Sequence, residues 1–157
     1  MASYRQVKNN QGVRGWARLI PFSYVVPIVV PAATLANGAT QSGTIQTDPG
    51  LPFILTEMSG AFSLDVTNTP TFQNLLNFTI LDGESQQNFS NGPVPRERMF
   101  GTREFPRQLP QEVEISPADL LTVNMTNLSG AALAAGVVFY AVFTGFKLVG
   151  FSPSAPA

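Results

Sequence analysis

The residues able to do acid–base, nucleophilic or metal chemistry are few in this chain, and their types narrow the reactions it could support. Its 157 residues include no histidine and no cysteine. Without imidazole there is no ordinary general base near neutral pH and no usual transition-metal ligand, which excludes triads and histidine-built zinc or hydrolase sites. Without thiols there are no disulfides, thiolate metal sites or cysteine nucleophiles. Carboxylate, lysine, tyrosine, serine and threonine chemistry is what remains. Two carboxylate groupings stand out: Asp82-Gly83-Glu84, and Glu112 with Glu114, which a strand's period of two sets side by side on one face. Either could offer oxygen to calcium, but neither has the ligand density of a calcium loop. Nothing in the sequence positions them as a catalytic acid and base. The expectation is a non-enzymatic protein with no cofactor and no metal.

The other candidates are cationic and aromatic. Arg5, Lys8 and Arg14 lie in an opening stretch with no acid and almost no apolar periodicity, and Trp16 and Arg18 follow where the first apolar run begins. This reads as an extended basic arm over residues 1–17, ahead of a domain over 18–150 and a short flexible tail over 151–157. Such an arm can lie across a neighbouring subunit and add backbone hydrogen bonds or a strand to its sheet, or it can be a solvated tail. Four positive charges hold nucleic acid only weakly, and the net charge is −1, so no nucleic-acid partner is expected.

A second grouping lies between Glu84 and Gln111, the longest irregular segment, where Arg96, Arg98, Arg103 and Arg107 are set among Met99, Phe100 and Phe105. A loop that long in a compact domain usually has a purpose. Arginine forks and large rings are the side chains enriched at interface hot spots. Glu97 and Glu104 lie within reach of those arginines and offer the competing reading of a self-satisfied surface loop.

Strands must position these residues. Charged residues make up 12% of the chain while Gly and Pro contribute 13 each, a surface that suits burial against partners or a neutral soluble β protein. Leu121, Val123 and Met125 alternate with Thr122, Asn124 and Thr126, the clearest strand. Phe78 with Ile80 and Val113 with Ile115 alternate similarly. Phe53 and Leu55, then Phe62, Leu64 and Val66, form one bent strand or two, with a break at Ser59-Gly60. The run from Leu19 to Val30 carries Pro21 and Pro27, so it reads as an edge strand or two short pieces. Asn37-Gly38, Asp48-Pro49-Gly50 and Asp82-Gly83 are turn signals. The uncharged stretch from Ser129 to Phe146 touches the length of a membrane span, but its β-branched and aromatic content and its glycines make it a buried strand, and no membrane is expected. No secretory signal is visible in the first fifteen residues. The sequons at Asn77, Asn88, Asn124 and Asn127 are no more than a chain rich in Asn, Ser and Thr supplies. The sum is an all-β antiparallel sandwich of seven to nine strands, jelly-roll-like, with an N-terminal arm.

Four stretches in order, PFILTEMSGAFSLDV, NFTILDGESQQNFSNGPVPRERMFG, FPRQLPQEVEISPADLLTVNMTNLSG and GVVFYAVFTGFKLV, cover about Pro52 to Val149. Their order of strands and loops resembles small β-sandwich virion proteins of tailed bacteriophages. The resemblance implies a virion location and other virion proteins as partners. A capsid decoration or cement protein comes first, a neck, collar or tail component second. Identical subunits closing a ring imply a homo-oligomer. A carbohydrate-binding sandwich is the rival of another class, resting on Trp16, Tyr4, Tyr24 and Tyr140.

Overall fold

Alternation of inward and outward side chains decides where this chain becomes strand. In the computed structural model, residues 3–8, 14–30, 34–63, 75–86, 88–101, 105–133 and 136–153 are described. From Leu120 to Asn127 every second side chain is buried and the threonines and Asn124 between them face outward, the pattern of a strand with one wet face. In chain order the elements are β1 (Ser3–Lys8), β2 (Arg14–Val29), β3 (Thr40–Gln46), β4 (Phe53–Phe62), β5 (Leu76–Asp82), β6 (Val94–Pro95), α1 (Arg96–Phe100), β7 (Arg107–Ile115), β8 (Leu120–Asn127) and β9 (Val138–Ser152).

The strands form two antiparallel sheets, a five-stranded one ordered β1-β2-β9-β4-β7 and a four-stranded one ordered β3-β8-β5-β6. With β1 set aside, these are the orders of an eight-stranded jelly roll, in which two Greek keys wrap one sheet over the other. The all-β sandwich expected from the sequence is the fold adopted. Between the sheets the rings of Phe78, Phe100 and Phe139 meet at centroid separations of 4.6 to 5.3 Å, in the range of favourable aromatic pairs. Ile28, Leu55, Val123 and Phe143 complete the same core.

Several expectations change in detail. The first apolar run is one continuous sixteen-residue strand rather than two pieces. It is central only from Arg14 to Leu19, where β1 covers it, and from Ile20 onward its outer side is open. Pro21 and Pro27 both fall in that open part, and six-residue spacing puts their nitrogens on one side of the backbone, where an edge tolerates a missing donor. In β4 the break comes at Thr56, where the register shifts against both neighbours. The strand then runs straight through Gly60, whose missing Cβ leaves room for the Phe139 ring. Leu64 and Val66 lie outside the described residues.

The basic arm is paired within its own chain. Ser3–Lys8 and Arg14–Leu19 form a hairpin that folds over the outer face of its own sheet. Val7, Ala17 and Leu19 meet Ile54, Phe146 and Leu148 in a second, smaller core. Arg5 on β1 forms an ion pair with Glu112 on β7, joining the two edge strands of one sheet. Residues 14–17 are thus part of β2, and residues 151 and 152 part of β9, so both boundaries read from the sequence fall inside strands.

Candidate interface

The arginine and aromatic segment folds where the sandwich is open between two of its edge strands, β6 and β7. Pro95 leads into α1, and Gly101 ends it with φ 71° and its N–H donated to the Glu97 carbonyl. Beyond it, β7 bulges: Leu109, Pro110, Gln111 and Glu112 stand opposite Thr56 alone. Bulges bend an edge strand away from its neighbours and re-aim side chains. Here the bend and α1 enclose a cleft of about 360 Å³. Its floor is Leu55, Met58, Met99 and Val113, continuous with the main core, and Arg98, Arg107 and Gln111 stand at its rim.

The residues read from the sequence as one interface divide. Met99 and Phe100 are 3% and 0% exposed, so they are corrected from surface contacts to core: the single helical turn points both inward, where Phe100 packs edge-on against Phe78 at 5.2 Å. Phe105 is 76% exposed. Arg98 and Arg107 are exposed, and Arg96 is half-buried on α1 with its guanidinium pKa lowered by that burial. Arg103 lies outside the described residues. On the arm hairpin, Arg5 is engaged with Glu112, Arg14 is exposed and Trp16 is half-buried opposite Gln6 and Ser152. Lys8 closes β1 opposite Arg14, and its side chain is not among those described. The hairpin and the cleft are therefore separate sites, linked through the bond from Arg5 to Glu112.

Two outer faces, which no motif announced, complete the candidate surface. On the five-stranded sheet the register sets Val25 beside Val142 and Ser59, Pro27 beside Tyr140 and Ala61, and Val29 beside Val138. Val25, Val29 and Tyr140 are 44%, 49% and 39% exposed. This half of the face is apolar and carries no charge. On the four-stranded sheet the outward rows are Thr40, Thr126 and Asn77, then Ser42, Asn124 and Thr79, then Thr44, Thr122 and Leu81. These bond one another across the strands, Thr40 to Thr126 at 2.8 Å, Ser42 to Asn124 at 2.6 Å and Asn124 to Thr79 at 3.3 Å. Compared with family models, with curated proteins and with solved structures, the chain matches none.

The carboxylates read as calcium candidates are used differently. Asp119, 5% exposed in the turn before β8, accepts from the N–H groups of Glu84 and Leu120 at 2.9 and 2.6 Å. Asp82 accepts from Glu84 and Ser85, each at 3.0 Å. Burial, then the neighbouring Asp82, pushes the Asp119 pKa upward. Burial acts upward on Asp82 too, but the donors of Ser85, Asp119 and Glu84 together hold it below the ordinary value. Opposite displacement is what two carboxyls sharing one proton show. The pair pins two turns together. Glu112 is taken by Arg5, while Glu114 is exposed on β7. Among the described residues no three His, Cys, Asp or Glu side chains are grouped to hold a metal, and no helix is long and apolar enough to cross a membrane.

Asn127 is the residue whose role the sequence concealed. As a sequon it carried no information, yet it is 0% exposed. Its Nδ2 donates to the carbonyls of Leu35 and Ala131 at 3.0 and 2.7 Å, and its Oδ1 accepts from Ser129. Two loops, β2–β3 and β8–β9, are tied by that amide. Its position at the inward phase of β8, otherwise filled by Leu121, Val123 and Met125, is the signal that could have revealed it.

Proposed function

We propose that this protein is a non-enzymatic structural component of a virion of the tailed-bacteriophage kind, a capsid decoration or cement protein that binds neighbouring subunits. The observation that carries the reading is the apolar, uncharged half of the outer face around Val25, Pro27, Val29 and Tyr140. A sheet face meant for water alternates polar residues outward. Contiguous exposed apolar surface instead marks a place where another protein sits. Burying such a patch against a neutral partner needs no charge compensation and releases water from both surfaces.

A jelly roll is a familiar unit for closed shells because its two sheets leave faces and loop ends free for neighbours. The carbohydrate reading has less to rest on: Tyr24 is buried and Trp16 half-buried, and the exposed Tyr4 and Tyr140 lie on different strands. A neck, collar or tail position is served by the same chemistry.

Electron microscopy of particles with and without the protein tests the reading. Density missing from the shell supports decoration, density missing from the neck or tail moves the protein there, and unchanged particles with no bound protein defeat the virion role. Light scattering of the isolated protein checks self-association separately.

A further inference from the structure

We propose that the cleft between β7 and α1 binds an extended acidic segment of another protein, one apolar side chain entering the floor and carboxylates meeting Arg98 and Arg107. This deepens the assembly reading, on which it depends only for who the neighbour is.

Size and lining define the first half of the ligand. A cleft of about 360 Å³ floored by Leu55, Met58, Met99 and Val113 accommodates a single large apolar side chain and little more. Its two thioethers are flexible and polarisable, so they can close around an aromatic ring or a branched chain alike. Because the floor opens directly onto the main core, a group inserted there is removed from water almost completely.

Charge defines the second half. Arg98 and Arg107 are exposed at the rim and make no ion pair among the described residues. Of the acids that β4 and β7 place nearby, Glu112 is engaged by Arg5 and Glu57 accepts from the Gln108 amide, while the exposed Glu114 follows Val113 and so faces the opposite side of β7 from the cleft floor. Two arginine forks beside an apolar slot select a carboxylate over a neutral or cationic group.

The surroundings favour a peptide over a small amphiphile. β7 is the last strand of its sheet, and past the Gly101–Pro106 bridge at its start no strand pairs with its outer side, which is the arrangement that accepts an added extended segment. Phe105, 76% exposed and just before β7, extends the apolar contact beyond the cleft itself. A small molecule would use neither.

The test is fluorescence anisotropy with a labelled peptide of about ten residues in which one phenylalanine is flanked by glutamates. Companion peptides replace the glutamates by lysine or the phenylalanine by serine. The expected result is saturable binding of the acidic phenylalanine peptide alone, weakened at least about tenfold by R98A/R107A, the loss expected for one charge-assisted contact. Octanoate should displace the peptide and octyltrimethylammonium should not, which checks the wild-type cleft without any variant. Equal binding of all three peptides, or binding indifferent to both arginines in a variant that melts like wild type, overturns the proposal. Selective binding supports the cleft even where no particle carries the protein, an outcome that would count against the virion role alone.

Discussion

The outer rows of the four-stranded sheet and the apolar half of the five-stranded sheet's outer face share an absence of charge and differ in most of what water senses. On the four-stranded sheet, Thr40, Ser42, Asn124 and Thr126 bond across the strands and still offer lone pairs and protons outward. On the five-stranded sheet, Val25, Pro27 and Val29 offer only apolar surface, and Tyr140 adds a ring with a single hydroxyl at its tip. Neutral polar groups already hydrated gain little from leaving water, because each bond made replaces one broken. Apolar area gains about 25 cal/mol per Å². Of two neutral faces, then, one is built to be covered and the other is content to remain wet.

The strongest challenge to that comparison is a charge placed in the middle of the apolar face. V25D/V142D puts two carboxylates on adjacent strands, and association through this face should fall by about a hundredfold or more, since an unpaired buried charge costs several kcal/mol. The isolated protein should melt somewhat lower, because like charges directly opposite on paired strands repel, so sedimentation is compared with wild type at a temperature where both are folded. Full association in this variant would show the face to be ordinary tolerated surface.

The next largest effect lies under the polar face. N127A removes one of two donors from the carbonyls of Leu35 and Ala131, which keep the Leu133 N–H and the Ser129 hydroxyl, and leaves the Ser129 N–H without its acceptor. About 1–3 kcal/mol should be lost in urea unfolding, with assembly affected only through stability. An effect near zero would show that the loops, not the amide, hold that end of the sheet.

A pH series sharpens the picture at the opposite end of the same sheet. The raised pKa of Asp119 gives stability that is present below the ordinary Asp value and lost as pH rises through the folded one. The lowered pKa of Asp82 gives stability that is lost as pH falls. D119N keeps the acceptor for Glu84 and Leu120 and offers Asp82 a permanent donor. It should therefore melt higher than wild type at neutral pH, with the advantage fading below about pH 4. A constant difference across the range would mean that the carboxyls do not share a proton.

The smallest effect is expected from T44K on the polar face. Thr44 is exposed, and a surface change of this kind moves stability by about 0.5 kcal/mol or less. Association should be untouched. Loss of assembly here, with V25D/V142D silent, would reverse the roles of the two faces.

How much of this was legible depended on how local its cause was. β8 and β5 follow from two-residue alternation, and the glycine turns at Gly38 and Gly50 adopt the positive φ that their sequences announce. The candidate site was legible as a composition, arginines among aromatics, but not as a partition. Met99 and Phe100 turn inward because Phe78 and Phe139, from strands far away in sequence, leave a space that one helical turn fills. The cleft exists because β7 bulges against Thr56, and a bulge is a property of two paired strands rather than of either one.

The sequence by itself determined that this is an all-β chain without imidazole or thiol chemistry, and which side chains of each strong strand share a face, since both depend only on residue type and backbone period. The tertiary structure alone decided which strands became neighbours. That choice gathered Val25, Val142 and Ser59 into one uncharged row, laid the basic arm over its own sheet and bridged Arg5 to Glu112. The reason is physical: alternation says that a residue faces out, but what it faces out beside depends on register between distant segments, and register is settled by packing the whole core at once.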